Sequence, residues 1–416
     1  MLKSVLQPLG DFYHPLLHNF RQFLEAKRII NEINLRIKND TIVSKNLSRK
    51  KRIYLDVADF YLSNRGTGIQ RVTKEISEGI HNLCTEYDVI DVYCKKIGYT
   101  SCIDGKDVDF CQNDILLVLG YTPKLLVRHA KFFEELRNKG IWTAAFLYDL
   151  LPILYPSFFI SGEDKKFRAY LSVLLQFSQL ICDSSAVASE VKQYLETHPK
   201  IKRNPELKIS YSLLGSDFST LPRPSVHFDS LNSRSGSSLN FLMVSTVEPR
   251  KMYAQAVKAF DMLWKEGLSV NLWIVGRRGW KNETTFRLIE ENTHYGKELV
   301  WYSTGISDEE LASLYEKCDA VIFASVAEGF GLAVAEGAHF GKPLILRDIP
   351  VFREIAGNNA FYFSGTDESI LAGKIKEWIS LYKTSKEPKS TNIKLTSWKE
   401  CSQKVLDLLT GNGEKS

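Results

Sequence analysis

From Arg52 onward, apolar runs of strand length alternate with helix-period segments, the pattern of a parallel sheet covered by helices. The runs Ile53–Asp59, Val89–Cys94, Ile115–Leu119, Thr143–Tyr148, Leu180–Asp183 and Lys208–Leu213 read as strands. Ile69–Tyr87, Lys124–Lys139, Lys166–Ser178 and Ala186–Thr197 read as the helices among them. Ser219 to Ser238, rich in Ser, Pro and Asn, breaks the pattern and predicts a linker. The alternation resumes with strands at Asn240–Ser245, Asn271–Val275, Leu299–Tyr302, Ala320–Ala324 and Pro343–Arg347. Its helices are expected at Ala254–Lys265, Glu283–Asn292, Asp308–Lys317 and Leu332–His339, and two more, Asp367–Lys383 and Ser397–Leu409, suggest a return crossing. The expected organisation is α/β in two halves: 1–51 an N-terminal extension, 52–218 the first half, 219–238 the linker, 239–395 the second half and 396–416 a terminal helix.

A chain of 416 residues exceeds what one core usually supports, which agrees with two domains. Seven cysteines, an odd number with no Cys-x2-Cys pair, argue against a disulfide framework and a structural zinc site and fit a reducing cytoplasm. The N-terminus lacks the features of a secretory signal. The apolar window Ile141 to Ile160 is interrupted by Asp149, Pro152 and Pro156, so a buried strand running into a loop explains it better than a membrane span. The net charge of +5 is mild and gathers at the front, where Lys27, Arg28, Arg36, Lys38 and Arg49 to Arg52 interleave with Phe23, Leu24, Ile29, Ile30, Ile33 and Leu35. Such a segment suits contact with an anionic inner-membrane surface, or packing on its own domain; both readings stay open. It contains no recognised nucleic-acid module, so no nucleic acid is expected as partner.

The most informative stretch is Glu328-Gly329-Phe330-Gly331-Leu332-Ala333-Val334-Ala335-Glu336, followed by Gly341-Lys342-Pro343. Glycines free backbone amides at the start of a helix, where the dipole favours an anion. Eight residues at about 1.5 Å rise put the two carboxylates roughly 12 Å apart or less, a span suited to a diphosphate with hydroxyls at either end. The plain alternative is a pair of unrelated glutamates, one capping the helix and one on its solvated face. In open α/β sheets ligands sit at the carboxyl ends of strands, and Glu328 follows such a strand.

Taken together, these residues resemble the donor-site signature of retaining GT-B glycosyltransferases of family GT4. The resemblance covers nearly all of the chain after Arg52 and is strongest from Leu239 to Phe363. It implies two Rossmann-like domains facing a cleft, the first for the acceptor and the second for the donor, with the last helix crossing back. Val244-Ser245-Thr246-Val247-Glu248-Pro249-Arg250-Lys251 places Arg250 and Lys251 where the family neutralises the donor diphosphate. Arginine offers a planar fork and lysine a point charge, suited to two leaving phosphates. By the same resemblance Glu328 holds donor-sugar hydroxyls and Glu336 the ribose, with Gly329, Phe330, Gly331 and Leu332 along the phosphates. Gly276 and Arg277 end a strand where the backbone could approach a ligand closely, with a plain turn as the alternative, and Gly305 and Ile306 resemble the family segment meeting the nucleobase. Arg347 to Glu354 resembles most the branch with bacterial O-antigen and capsule mannosyl- and rhamnosyltransferases.

On the acceptor side, Gly66, Thr67, Gly68 and Arg71 form a glycine-rich loop able to approach phosphate or sugar, with a simple strand-to-helix turn as the alternative. Neither this loop nor Gly329 and Gly331 completes Gly-x-Gly-x-x-Gly, because Arg71 and Val334 hold the third positions, which argues against a dinucleotide enzyme. Phe146 to Pro152 resembles the family's His-Asp-x-x-Pro segment with Tyr148 in place of the histidine. Asp149 is the candidate for orienting an acceptor hydroxyl or stabilising positive charge, with a structural hydrogen bond as the alternative. Ser184, Ser185 and Glu190 look like a helix cap rather than chemistry. The expected activity is metal-independent, cofactor-free, retaining transfer of a hexose from a nucleotide-diphosphate sugar to a lipid-linked or growing surface glycan. GDP-mannose leads as donor by branch resemblance, before dTDP-rhamnose and UDP-sugars. A sugar-nucleotide epimerase or hydrolase, or a silent sugar-nucleotide-binding subunit, are the rivals.

Overall fold

The computed structural model describes residues 49–62, 67–95, 98–217, 238–304 and 306–411. The basic N-terminal segment, Gly66, Gly305 and the linker up to residue 237 lie outside the described residues.

The first half carries β1 (Arg52–Asp56), β2 (Asp88–Cys94), β3 (Tyr99–Ser101), β4 (Ile115–Val118), β5 (Trp142–Leu147), β6 (Gln179–Cys182) and β7 (Lys208–Tyr211) in one sheet of order β3-β2-β1-β4-β5-β6-β7. Its helices are α1 (Ala58–Leu62), α2 (Gly68–Leu83), α3 (Pro123–Arg128), α4 (Ala130–Asn138), α5 (Leu151–Leu154), α6 (Glu163–Leu174) and α7 (Ser185–Thr197). All pairings are parallel except β2 with β3. The second half carries β8 (Leu239–Val244), β9 (Val270–Val275), β10 (Leu299–Tyr302), β11 (Ala320–Phe323), β12 (Leu344–Arg347) and β13 (Phe361–Phe363), all parallel, in order β10-β9-β8-β11-β12-β13. Its helices are α8 (Tyr253–Lys265), α9 (Glu283–Glu290), α10 (Asp308–Lys317), α11 (Leu332–His339), α12 (Pro350–Ala356) and α13 (Glu368–Lys383), and α14 (Trp398–Thr410) closes the chain.

The α/β expectation holds, with local corrections. The first strand ends at Asp56 rather than Asp59, because the Asp56 carboxylate accepts the Ala58 amide at 3.0 Å and turns the chain into α1. The single helix expected over Lys124–Lys139 is two, broken at His129. Sequence reading missed β3, β13 and α12.

Lys51–Ser416 forms one compact unit. α14 lies on α2 of the first half: a Cβ on Gly79 would stand 2.0 Å from Ser402 Oγ, and the Trp398 amide donates to Asp217 at 2.6 Å. The seven cysteines are free thiols. Among the described residues no helix is long and apolar enough to cross a membrane.

Candidate functional site at the carboxyl ends of two sheets

β8 and β11 are sheet neighbours, so the segments leaving their carboxyl ends meet. After β8 the chain runs through a 3-10 turn, Pro249–Lys251, and Met252 at φ +57° before α8 begins. The two cations therefore sit ahead of the helix, and their charge is answered by carboxylates. Arg250 donates from one terminal nitrogen to Glu328 Oε2 at 2.7 Å and to the Ala327 carbonyl at 2.8 Å, while its Nε pairs with Glu248 Oε1 at 2.6 Å. Lys251 donates to Glu328 Oε1. Burial raises the Glu328 carboxyl, but Arg250, Lys251 and a hydrogen bond from Ser325 outweigh it and hold the group at about 2. Burial, then Arg250, draws Lys251 below the usual lysine range.

The loop after Glu328 faces the first half. A Cβ on Gly329 would lie 2.0 Å from the Tyr148 carbonyl and 3.0 Å from Asp183 Oδ2. Gly331 stands at φ +89°, a conformation glycine adopts without steric penalty, and starts α11. Phe330 is buried in an apolar cluster with Phe146 and Trp398, so its ring faces the core while its backbone stays with the loop; Leu332 packs on the same cluster. On α11, Glu336 is buried and accepts from Arg71 of α2 at 2.7 Å and from Tyr315 at 3.2 Å.

The other predicted residues divide. Gly276 approaches protein rather than open space: its Cβ would fall 1.7 Å from the Ser245 carbonyl, which explains a glycine beside β8. The Arg277 carbonyl accepts the Val247 amide at 2.9 Å, and its side chain is exposed. Ile306 packs partly on the core of the second half. Thr67 caps α2 through a reciprocal pair with Gln70, Gly68 opens that helix exposed, and Arg71 reaches Glu336 instead of staying with the loop. The Tyr148 hydroxyl donates to Leu119 at 2.7 Å, so this residue offers its carbonyl to the cleft. Asp149 accepts the Leu151 amide at 3.0 Å; burial raises its carboxyl against the pull of Arg250. Ser184 caps α7 by accepting the Val187 amide at 3.2 Å.

Sequence reading missed Asp183, Glu248, Tyr315 and Glu354. Asp183 follows β6, next to the strand that ends before Asp149, and the carboxyl-end rule applies to it equally. Burial, then Asp149, pushes the Asp183 carboxyl well up. Glu190 on α7 is raised to about 7, by burial first and Asp149 second, and among the described residues its Oε2 is buried without a hydrogen-bond partner. A carboxyl raised on folding contributes stability that is present below its unfolded value of 4.5 and lost as pH climbs through about 7. Glu190→Gln is therefore expected to stabilise by about 1–2 kcal/mol at pH 8 and to change little at pH 4, read by urea denaturation at both.

Residues 231–395 match the family model described as Glycosyl transferases group 1. The serotype-specific mannosyltransferase WbdA of Escherichia coli is 34% identical over 375 residues, which are 86% of this chain and 46% of that protein. The chain thus spans about half the length of the curated relatives it matches at this level. Among solved structures, sucrose-phosphate synthase from Thermosynechococcus elongatus is similar with a TM-score of 0.62 at 14% identity, over 88% of this chain and 100% of that one. Anabaena HepE in complex with UDP-glucose gives 0.57 at 17% identity, over 88% and 98%. Those likenesses carry the fold, two largely parallel sheets in GT-B arrangement. Over residues 231–395 the chain is similar to the group 1 glycosyl transferases.

Proposed function

We propose that this protein is a retaining, metal-independent glycosyltransferase that moves a hexose, mannose from GDP-mannose foremost, onto a bacterial surface glycan of O-antigen or capsule type. The observation that carries it is the group of Arg250, Lys251 and Glu328 at adjoining strand ends, beside the glycine start of α11. The mannosyltransferase names of the curated relatives favour the sugar and the glycan, and the complex of HepE with UDP-glucose favours a nucleotide-sugar donor.

In this reading Arg250, Lys251 and the amides of Gly329 to Leu332 stabilise the departing nucleotide diphosphate, and the two cations take the place of a divalent ion. Glu328, held ionised, binds donor-sugar hydroxyls, and Glu336 on its Arg71 and Tyr315 supports binds the ribose. The acceptor hydroxyl attacks the anomeric carbon from the leaving-group face. The carbon–phosphate-oxygen bond breaks, the new glycosidic bond forms, and the hydroxyl proton passes to the leaving phosphate oxygen. Asp149 orients that hydroxyl. The enzyme works in the cytoplasm, where nucleotide sugars are supplied.

The test is product detection by mass spectrometry with GDP-, UDP- and dTDP-sugars, a panel of lipid-linked and synthetic glycan acceptors, and EDTA. Transfer from GDP-mannose is expected to survive EDTA, to keep the donor's anomeric configuration by NMR, and to be lost in Glu336→Ala. Donor consumed without acceptor sinks the transferase reading, and a trapped glycosyl-enzyme adduct sinks the same-face attack.

A further inference from the structure

The first-turn amides of α7 find their acceptors in both halves of the molecule. Val187 donates to Ser184 Oγ of the same turn at 3.2 Å. The Ser185 and Ala186 amides instead donate to Glu354, at 2.8 Å to Oε1 and 3.0 Å to Oε2, and Glu354 stands on α12 of the second half. A helix N-terminus leaves amides without intrahelical partners, and its dipole favours negative charge. Here that charge is delivered from across the cleft.

Ser184 makes a second connection from the same turn, donating from Oγ to the Gly329 carbonyl at 2.8 Å. Gly329 is the residue after Glu328, and it lies against Tyr148 and Asp183. One turn of helix therefore grips both α12 and the glycine loop. We propose that Glu354 is a positioning residue, a latch that holds the second half on α7 and so sets Glu328 and Gly329 against Asp149 and Asp183. Its carboxylate meets amides and no reacting atom. Only the catalytic consequence rests on the transferase reading; the latch itself does not.

Hydrogen–deuterium exchange of the full chain tests it, comparing the natural protein with Glu354→Ala and Glu354→Gln. The alanine variant is expected to exchange about tenfold faster in two places, the first turn of α7 and residues 326–332. The glutamine variant, with one acceptor oxygen and no charge, falls between. Faster exchange confined to α7, with 326–332 unchanged, would reduce Glu354 to a local cap and overturn the proposal. Should Glu354→Ala fail to fold, the same comparison on Glu354→Gln decides. In the transfer assay the variants are expected to lose about tenfold in kcat with donor KM held within about twofold; unchanged kcat overturns the positioning role. A natural protein that transfers no sugar would end the transferase reading while leaving the exchange result to judge the latch.

Discussion

Arg250→Ala is expected to lower kcat/KM for sugar transfer by about 10²–10³-fold and to cost about 3–5 kcal/mol of folding stability. The two losses have different sources. In the free protein the Arg250 guanidinium answers two carboxylates, Glu328 and Glu248, both of which are largely withdrawn from water. Removing it leaves Glu248 buried without that partner and Glu328 with one cation, Lys251, in place of two, and breaking a buried pair from one side leaves an uncompensated charge. In the proposed mechanism the missing group is a donor aimed at the developing negative charge of the leaving diphosphate. Arg250→Lys separates the terms: an ammonium keeps a charge but cannot reproduce the fork that meets Glu328, Ala327 and Glu248 together, so stability recovers more than activity. Steady-state kinetics beside urea denaturation reads both. Full activity in Arg250→Ala would remove the phosphate role assigned to this residue.

Much of this fold was legible because strands of a parallel sheet are buried on both faces and read as continuous apolar runs. Ile115–Val118 and Ala320–Phe323 are buried at every position and were found within one residue. β3 escaped notice because it is three residues of Tyr, Thr and Ser at a sheet edge. The helix over Lys124–Lys139 looked unbroken because its apolar spacing continues through His129, where the backbone nevertheless leaves helical geometry.

The candidate site divides in the same way. Arg250, Lys251, Glu328 and Glu336 were readable because each lies in a local motif after a strand. Glu354 was not, since the amides it accepts are on the other half and only the packing of the halves brings them together. Arg71 shows both sides: its loop was flagged from glycines, yet its salt bridge to a residue on α11 could be found only in three dimensions.

Gly329→Ala is expected to cut transfer by about a hundredfold while leaving each half folded. The position needs no unusual backbone angle, so the penalty is steric and arises only where the halves touch: the new methyl meets the Tyr148 carbonyl at 2.0 Å and Asp183 at 3.0 Å. A backbone carbonyl fixed at the end of β5 cannot swing aside. The loop must therefore retreat by roughly an ångström, carrying Glu328 with it, and a misplacement of that size is worth about 10² in rate. The contrast with Gly276 shows why the melting temperature should hold. There an added methyl would strike the Ser245 carbonyl at 1.7 Å, just past the ends of two paired strands of a single sheet, where relief requires prising those ends apart and the cost falls on folding. At Gly329 relief comes from opening the cleft. Kinetics, donor binding by calorimetry and thermal unfolding on the same preparation distinguish the cases: lost kcat with retained donor affinity and melting temperature is the expected outcome. Natural kcat in this variant would show that contact between Gly329 and Tyr148 is not part of the reacting arrangement.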